Sequence, residues 1–195
     1  GGRILASKPL IERLDAVDAT AVGLEPDNTT YTQARNDTDI RVLAVHQSRR
    51  VGNATLFLGE VEVLTEVKGY QLRDTFSRKI LANESLDLPD QRLHTRAFWY
   101  VVDTTAIDAV VTAGGDPAGT LHAAEHAAIG MLPLFTICDR WDVGGVSTVH
   151  HHDTDGPTVF IYDGYPGGAG IAELGWEAGT KHLEATLEAI RSCPC

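Results

Sequence analysis

"NATLFLGEVEVLTEVKGYQLRD", residues 53–74, decides how the first half of the chain folds. Leu56 and Leu58, then Val61 and Val63, alternate with polar neighbours. Successive side chains of a strand point to opposite faces, so a period of two marks half-buried antiparallel strands. Gly59 and Gly69 break the pattern, and a glycine inside a strand signals a bulge or a bend. Working outward, "DIRVLAVHQ" (39–47) and "RLHTRAFWYVVD" (92–103) read as further strands. "DATAVGLEPD" (18–27) reads as a short strand entering a turn at Glu25–Asn28, and "NESLDLPDQ" (83–91) as turn-rich connection. There is no internal repeat and no low-complexity segment.

The second half changes character. "TAIDAVVTAG" (105–114) predicts a short helix ended by Gly114–Gly115. Asp116–Pro117 opens a second helix, "DPAGTLHAAEHAAIGMLPLF", which is apolar on most faces and is therefore predicted to be buried. "TVFIYD" (158–163) is a short apolar run between turns, hence a core strand. The glycine-rich "GYPGGAGIAELGWE" follows, and Leu183, Leu187 and Ile190 recur at helical spacing in "KHLEATLEAIRSC". The expected fold is α+β: a β-rich segment of antiparallel strands over 1–103, then a mainly helical segment over 104–195 with one or two core strands.

At 195 residues and 21.0 kDa the chain can bury a core of ordinary size. A formal net charge of −11 weighs against a domain devoted to neutralising phosphates, though a local basic strip is compatible with it. Arg49–Arg50 and Arg73, Arg78 and Lys79 are the candidates, their alternative being solvated strand and turn positions. No apolar run reaches the roughly 20 residues of a membrane span, and the first ten residues carry no signal-peptide core. Three cysteines, two of them in the last three residues, make a poor disulfide framework and suit reduced thiols or a metal site.

Several stretches carry candidate chemistry. His122, Glu125 and His126 form H-x-x-E-H, the ligand pair and general base of an inverted zinc protease. Such a site needs a third acidic ligand, for which Glu173, Glu177 and Glu184 are available. Ala123, Ala124, Ala127 and Ala128 favour the other reading, a closely packed helix. "VHHHDTDGP" (149–157) offers His150, His151, His152, Asp153 and Asp155, but adjacent extended residues diverge, so an exposed loop is expected. "YDGYPGGAGIAELG" (162–175) could hold an anion at a helix start, yet it lacks the lysine of a P-loop and reads as a tight strand-to-helix turn. In "RWDVGGVST" (140–148), Gly144–Gly145 permit a sharp turn, while Arg140 and Asp142 could pair with each other or meet a ligand. "SCPC" begins many zinc motifs without completing one, since a closed site takes four ligands.

Taken in order, "LHAAEHAAIGMLPLFTICDRWDVGGVST", "TVFIYDGYPGGAGIAELGWE" and "AIRSCPC" resemble the C-terminal zinc-binding domain of MrfA-like superfamily 2 DNA helicases. "YTQARNDTDIRVL", "FLGEVEVLTEVKGYQLRD" and "LDLPDQRLHTRAFW" resemble the β-rich segment upstream of it, so the resemblance spans roughly residues 30–195. It implies a four-cysteine zinc signature whose first pair Cys193 and Cys195 match, with Cys138 as a substitute third ligand and the chain cut inside the motif. It further implies a parent that couples ATP hydrolysis to 3′-to-5′ DNA unwinding in repair, in the nucleoid-bearing cytoplasm. The chain itself shows no ATPase motif, so the resemblance makes it a non-catalytic accessory domain. Its partners would be the parent's motor domains and single-stranded or forked DNA, with no membrane. The rival expectation is a zinc hydrolase built on His122, Glu125 and His126.

Overall fold

The computed structural model describes residues 30–193. The strand expected near residues 18–27, and Cys195, lie outside them. The described residues fall into two compact units: residues up to Thr38 with Thr65–Gln91, and Asp39–Leu64 with residues from Arg92 onward. Strands β1 (Thr30–Val51) and β2 (Ala54–Asp74) each contribute a segment to both.

In the first unit β2 pairs antiparallel with β3 (Ile80–Ser85), through Gly69 opposite Ser85 and Tyr70 opposite Glu84, with a register shift between Leu72 and Arg73. Part of the expected 83–91 connection is thus a strand. Its largely exposed sequence is apolar over 80–82 and polar over 83–85 without alternation, so only pairing with β2 reveals it. The turn between them is tied by Asp74, whose Oδ1 accepts from Phe76 N (3.1 Å), Ser77 N (2.6 Å) and Ser77 Oγ (2.8 Å). Val67 packs with Ala34, Leu86 and Leu88 as a small apolar cluster.

The second unit holds the main core. Its strand order is β1-β2-β4-β6-β5, where β4 is Gln91–Val102, β5 Val143–His151 and β6 Gly156–Asp163. β6 is central, pairing antiparallel with β4 (Trp99 opposite Phe160) and with β5 (Val146 opposite Phe160). Phe98 and Tyr100 of β4 join Leu56, Leu58, Val159 and Ile161 beneath the helices, while Ala97 and Trp99 join Ile40, Val61, Val63 and Phe160 on the other face. The switch in β2 from even-numbered leucines to odd-numbered valines therefore records a strand covered on both faces. Gly59 sits in this unbroken strand at a close approach: a Cβ there would lie 2.0 Å from the Ala44 carbonyl oxygen and 2.9 Å from the Trp99 ring. The two ends of the strand order meet, because His151 Nε2 bonds the Ile40 carbonyl (2.9 Å) and Val42 N donates to Asp153 (2.8 Å).

Three helices cover the first of these faces: α1 (Thr104–Thr112), α2 (Pro117–Met131) and α3 (Ile171–Arg191). Asp116 caps α2, accepting from Ala118 N and Gly119 N, with Pro117 at the first helical position. The expectation that α2 is buried all round is corrected. Leu121, Glu125, Ala128 and Ile129 face the sheet, whereas His122, Ala123 and His126 are exposed. Alanine contributes little burial energy either way, so an alanine-rich face does not report burial. His182 of α3 is fully buried; its Nε2 donates to the Ala128 carbonyl (2.8 Å) and its Nδ1 meets the Tyr100 hydroxyl (2.9 Å). That contact ties both helices to β4. Of the helical-spaced apolar residues of α3, Leu183 packs on the core, while Leu187 and Ile190 are exposed. Among the described residues no helix is long and apolar enough to cross a membrane.

Candidate functional site

Gly144 and Gly145 set the floor of the candidate site. They are not the expected sharp turn but part of β5, and they are glycines because two neighbours press on them. A Cβ on Gly144 would lie 2.3 Å from the Tyr162 ring of the paired strand. One on Gly145 would lie 2.7 Å from Glu125 Oε1 and 2.8 Å from Ile129 Cδ1. The missing side chain at Gly145 lets α2 settle directly on β5, and the one missing at Gly144 leaves room for the Tyr162 ring on the other face.

This close approach buries Glu125, which is 4% exposed. Ser147 Oγ of β5 donates to Glu125 Oε2 at 2.6 Å. One turn back, His122 Nδ1 lies 3.4 Å from the same oxygen. On the far side of that ring, His122 Nε2 faces His126 Nε2 at 3.1 Å, with the two rings edge to face. The result is a line of polar groups running from buried strand to open surface: Ser147, Glu125, His122, His126. The buried carboxylate also acts on Tyr162, whose hydroxyl pKa is pushed up to about 12, mainly by burial and further by Glu125.

His122, Glu125 and His126 are the one group among the described residues whose metal-ligating atoms gather, all within 4.8 Å of one another. None of the distal glutamates expected as a third ligand joins them. Glu173 faces Arg96 (3.7 Å), and Glu184 lines an apolar cavity with Val51, Val102 and Leu187. Glu125 is committed to Ser147 and His122 beneath the helix, which is no place for a base that must reach a metal-bound water. The hydrolase expectation is not favoured by this arrangement.

The other candidates resolve by what each side chain touches. The expected loop at 149–157 is the β5–β6 hairpin, and His151 in it is buried against the Phe160 ring while His150 and His152 are exposed. Strand pairing, rather than turn composition, decides that segment. The glycine-rich turn before α3 carries its own anion: the fully buried Asp163 accepts from Ala169 N, Ile171 N and Ala172 N. Gly167, Gly168 and Gly170 supply the positive φ values that aim those N–H groups inward. Asp142 accepts from Tyr165 Oη (2.7 Å) and from Asp139 N (2.7 Å) rather than pairing with Arg140.

Of the basic candidates, Arg49 lies over the Trp176 ring, 4.2 Å from its centroid, and donates to the Trp176 carbonyl; Arg50 pairs with Asp103. Both are committed within the fold. Arg73 bonds Gln71 (2.7 Å), and Arg78 and Lys79 stay exposed at the β2–β3 turn beside Phe76, which is 86% exposed. The sequence signal for Phe76 is slight, a single aromatic among turn residues.

Cys193 follows the last turn of α3. Cys138 is half-buried and packs on the core, and burial together with Asp142, Asp139 and Asp163 pushes its thiol pKa up. No gathered ligand group among the described residues includes Cys138.

The MrfA Zn-binding domain model matches residues 124–195. The chain is 28% identical over 186 residues to the uncharacterized ATP-dependent helicase YprA of Bacillus subtilis, covering 95% of this chain and 24% of that protein. It therefore spans about a quarter of that relative's length. It is 38% identical over 78 residues to the uncharacterized protein MJ1572.1 of Methanocaldococcus jannaschii, covering 38% of this chain and 70% of that protein. Among solved structures, the DUF1998 helicase MrfA bound to DNA matches with a TM-score of 0.62 and 27% identity, over 88% of this chain and 22% of that one. Similarity in sequence and in fold, over nearly the whole chain, makes this protein a member of the family of MrfA-type helicase C-terminal regions that carry the MrfA Zn-binding domain.

Proposed function

We propose that this chain is a non-catalytic accessory region of an ATP-dependent 3′-to-5′ DNA helicase acting in repair, guiding a nucleic-acid strand or docking the parent's motor domains. The observation that carries the reading is the match to DNA-bound MrfA over 88% of the chain. The proposed segments are those of the sequence pattern, β-rich over 1–103 and zinc-binding over 104–195, the latter containing the stretch 124–195 that the zinc-binding domain model matches. Zinc belongs to the complete cysteine motif that Cys193 and Cys195 begin.

The strand contact is assigned to the β2–β3 turn, where exposed Phe76 offers a stacking face and Arg78 and Lys79, also exposed, follow it in the chain. Asp74 holds this turn in shape through its bonds to Phe76 and Ser77. The net charge of −11 keeps such contact local and leaves the remaining surface to protein docking.

Fluorescence anisotropy with labelled oligo-dT tests this. Binding should weaken with salt, and Arg78→Ala with Lys79→Ala should lower the slope of log K against log salt by about 1.4, at roughly 0.7 per neutralised phosphate. An unchanged slope would remove the turn from the contact. Absence of binding even at low salt would leave docking as the whole role.

A further inference from the structure

The polar line at the α2–β5 contact has an order that the H-x-x-E-H pattern does not predict. A carboxylate only accepts hydrogen bonds, so the His122 nitrogen facing Glu125 Oε2 at 3.4 Å is the one that carries the proton. The lone pair of His122 then sits on Nε2, where it accepts from His126 Nε2–H, 3.1 Å away; a metal ion between the rings would take the place of that proton, with His126 carrying its hydrogen on Nδ1 instead. Histidines that bind metals characteristically donate their other ring N–H to a carboxylate, which fixes tautomer and orientation. Here the carboxylate is fixed in turn by Ser147, 2.6 Å away.

We infer that His122 and His126 form a transition-metal site on the outer face of α2, with Glu125 and Ser147 as positioning residues rather than ligand or base. Zinc–imidazole bonds of about 2.0–2.1 Å at a tetrahedral angle place two ligating nitrogens about 3.3–3.4 Å apart. The observed separation of 3.1 Å is close to that edge, and helical spacing of four residues supplies it without rearranging the backbone. His122 is 63% exposed at its side chain and His126 is also exposed, so the remaining coordination positions open to water. Imidazole pairs suit nickel, copper, cobalt and zinc, and two neutral ligands leave the ion its charge. The site is separate in residues from the cysteine motif and does not depend on the accessory-region reading.

Titration calorimetry of the whole chain with Ni²⁺ and with Zn²⁺, each paired with metal analysis of the desalted protein, tests the inference. One equivalent of Ni²⁺ should bind, vanish in His126→Ala and in His122→Ala, and persist in Cys193→Ser and in His150→Ala with His152→Ala. Glu125→Gln and Ser147→Ala should keep the stoichiometry while weakening affinity 10–100-fold, as loss of such supporting partners does. Circular dichroism checks that each variant folds, and Ser147→Ala covers the case in which Glu125→Gln does not. A wild-type chain that binds no Ni²⁺, or a His126→Ala chain that keeps the equivalent, would overturn the site. Unchanged affinity in Ser147→Ala and Glu125→Gln would reduce it to a bare histidine pair and overturn the positioning roles.

Discussion

Two buried carboxylates serve the helical layer of this protein, and they end differently. Asp163, at the end of β6, spends its oxygens on three backbone N–H groups at the start of α3. That network is closed: every partner belongs to the backbone it holds in place. Glu125, on α2, is nearly as buried, but its hydrogen bonds lead through His122 to His126 and out to solvent. A closed network specifies a turn, whereas one that opens on the surface ends on a histidine pair whose shared proton an ion can replace. Both sequence stretches looked like candidate sites, and the difference lies in where the hydrogen bonds stop.

The contrast breaks first at Asp163. Asp163→Ala removes a helix cap and leaves buried donors unpaired, so stability should fall by about 3 kcal/mol in denaturant unfolding. A loss no larger than a single surface cap would mean that the turn is held by other contacts. Gly145→Ala comes next. Its Cβ would meet Glu125 Oε1 at 2.7 Å and Glu125 Cγ at 2.9 Å, and lifting α2 from β5 should cost about 1–3 kcal/mol. Ni²⁺ affinity should drop with it, because the same shift misplaces the carboxylate.

His182 sharpens the closed side through pH. Burial pulls its folded-state pKa below the ordinary 6.5. Between that lowered value and 6.5 the unfolded chain binds more protons than the folded one, so stability rises with pH in this window. The contribution is full above about 6.5 and is lost as pH falls through the lowered value. His182→Gln should flatten this acid-side slope in thermal melts; an unaltered slope would assign it to other groups. The smallest effect belongs to the open end. His126→Ala should change stability by no more than about 0.5 kcal/mol, as an exposed substitution does. A loss of 2 kcal/mol there would show that His126 is part of the packing after all.

The sequence made the α+β order, β4, β6, the capped start of α2 and the tight turn before α3 legible, because alternation, Asp116–Pro117 and clustered glycines report local geometry. It did not reveal β3 or the β5–β6 hairpin. Residues 80–85 and 143–151 carry weak patterns of their own and become strands through partners distant in sequence. Gly144–Gly145 misread as a turn for the same reason: their small size answers to Tyr162 and Glu125, which composition alone does not place beside them. The H-x-x-E-H spacing did identify the residues that gather. Their roles needed depth: burial of Glu125 and exposure of both histidines turn a would-be base into a support. Arg49–Arg50, candidates for a basic strip or for solvated strand and turn positions, are engaged by Trp176 and Asp103.

The most direct test of the accessory-region reading is made in the parent helicase. Forked-duplex unwinding and DNA-stimulated ATP hydrolysis should be measured for the intact protein and for one carrying Phe76→Ala, Arg78→Ala and Lys79→Ala in this region. The account predicts slowed unwinding with ATP hydrolysis retained, since the turn guides a strand and performs no chemistry. Unwinding at the full rate would contradict it.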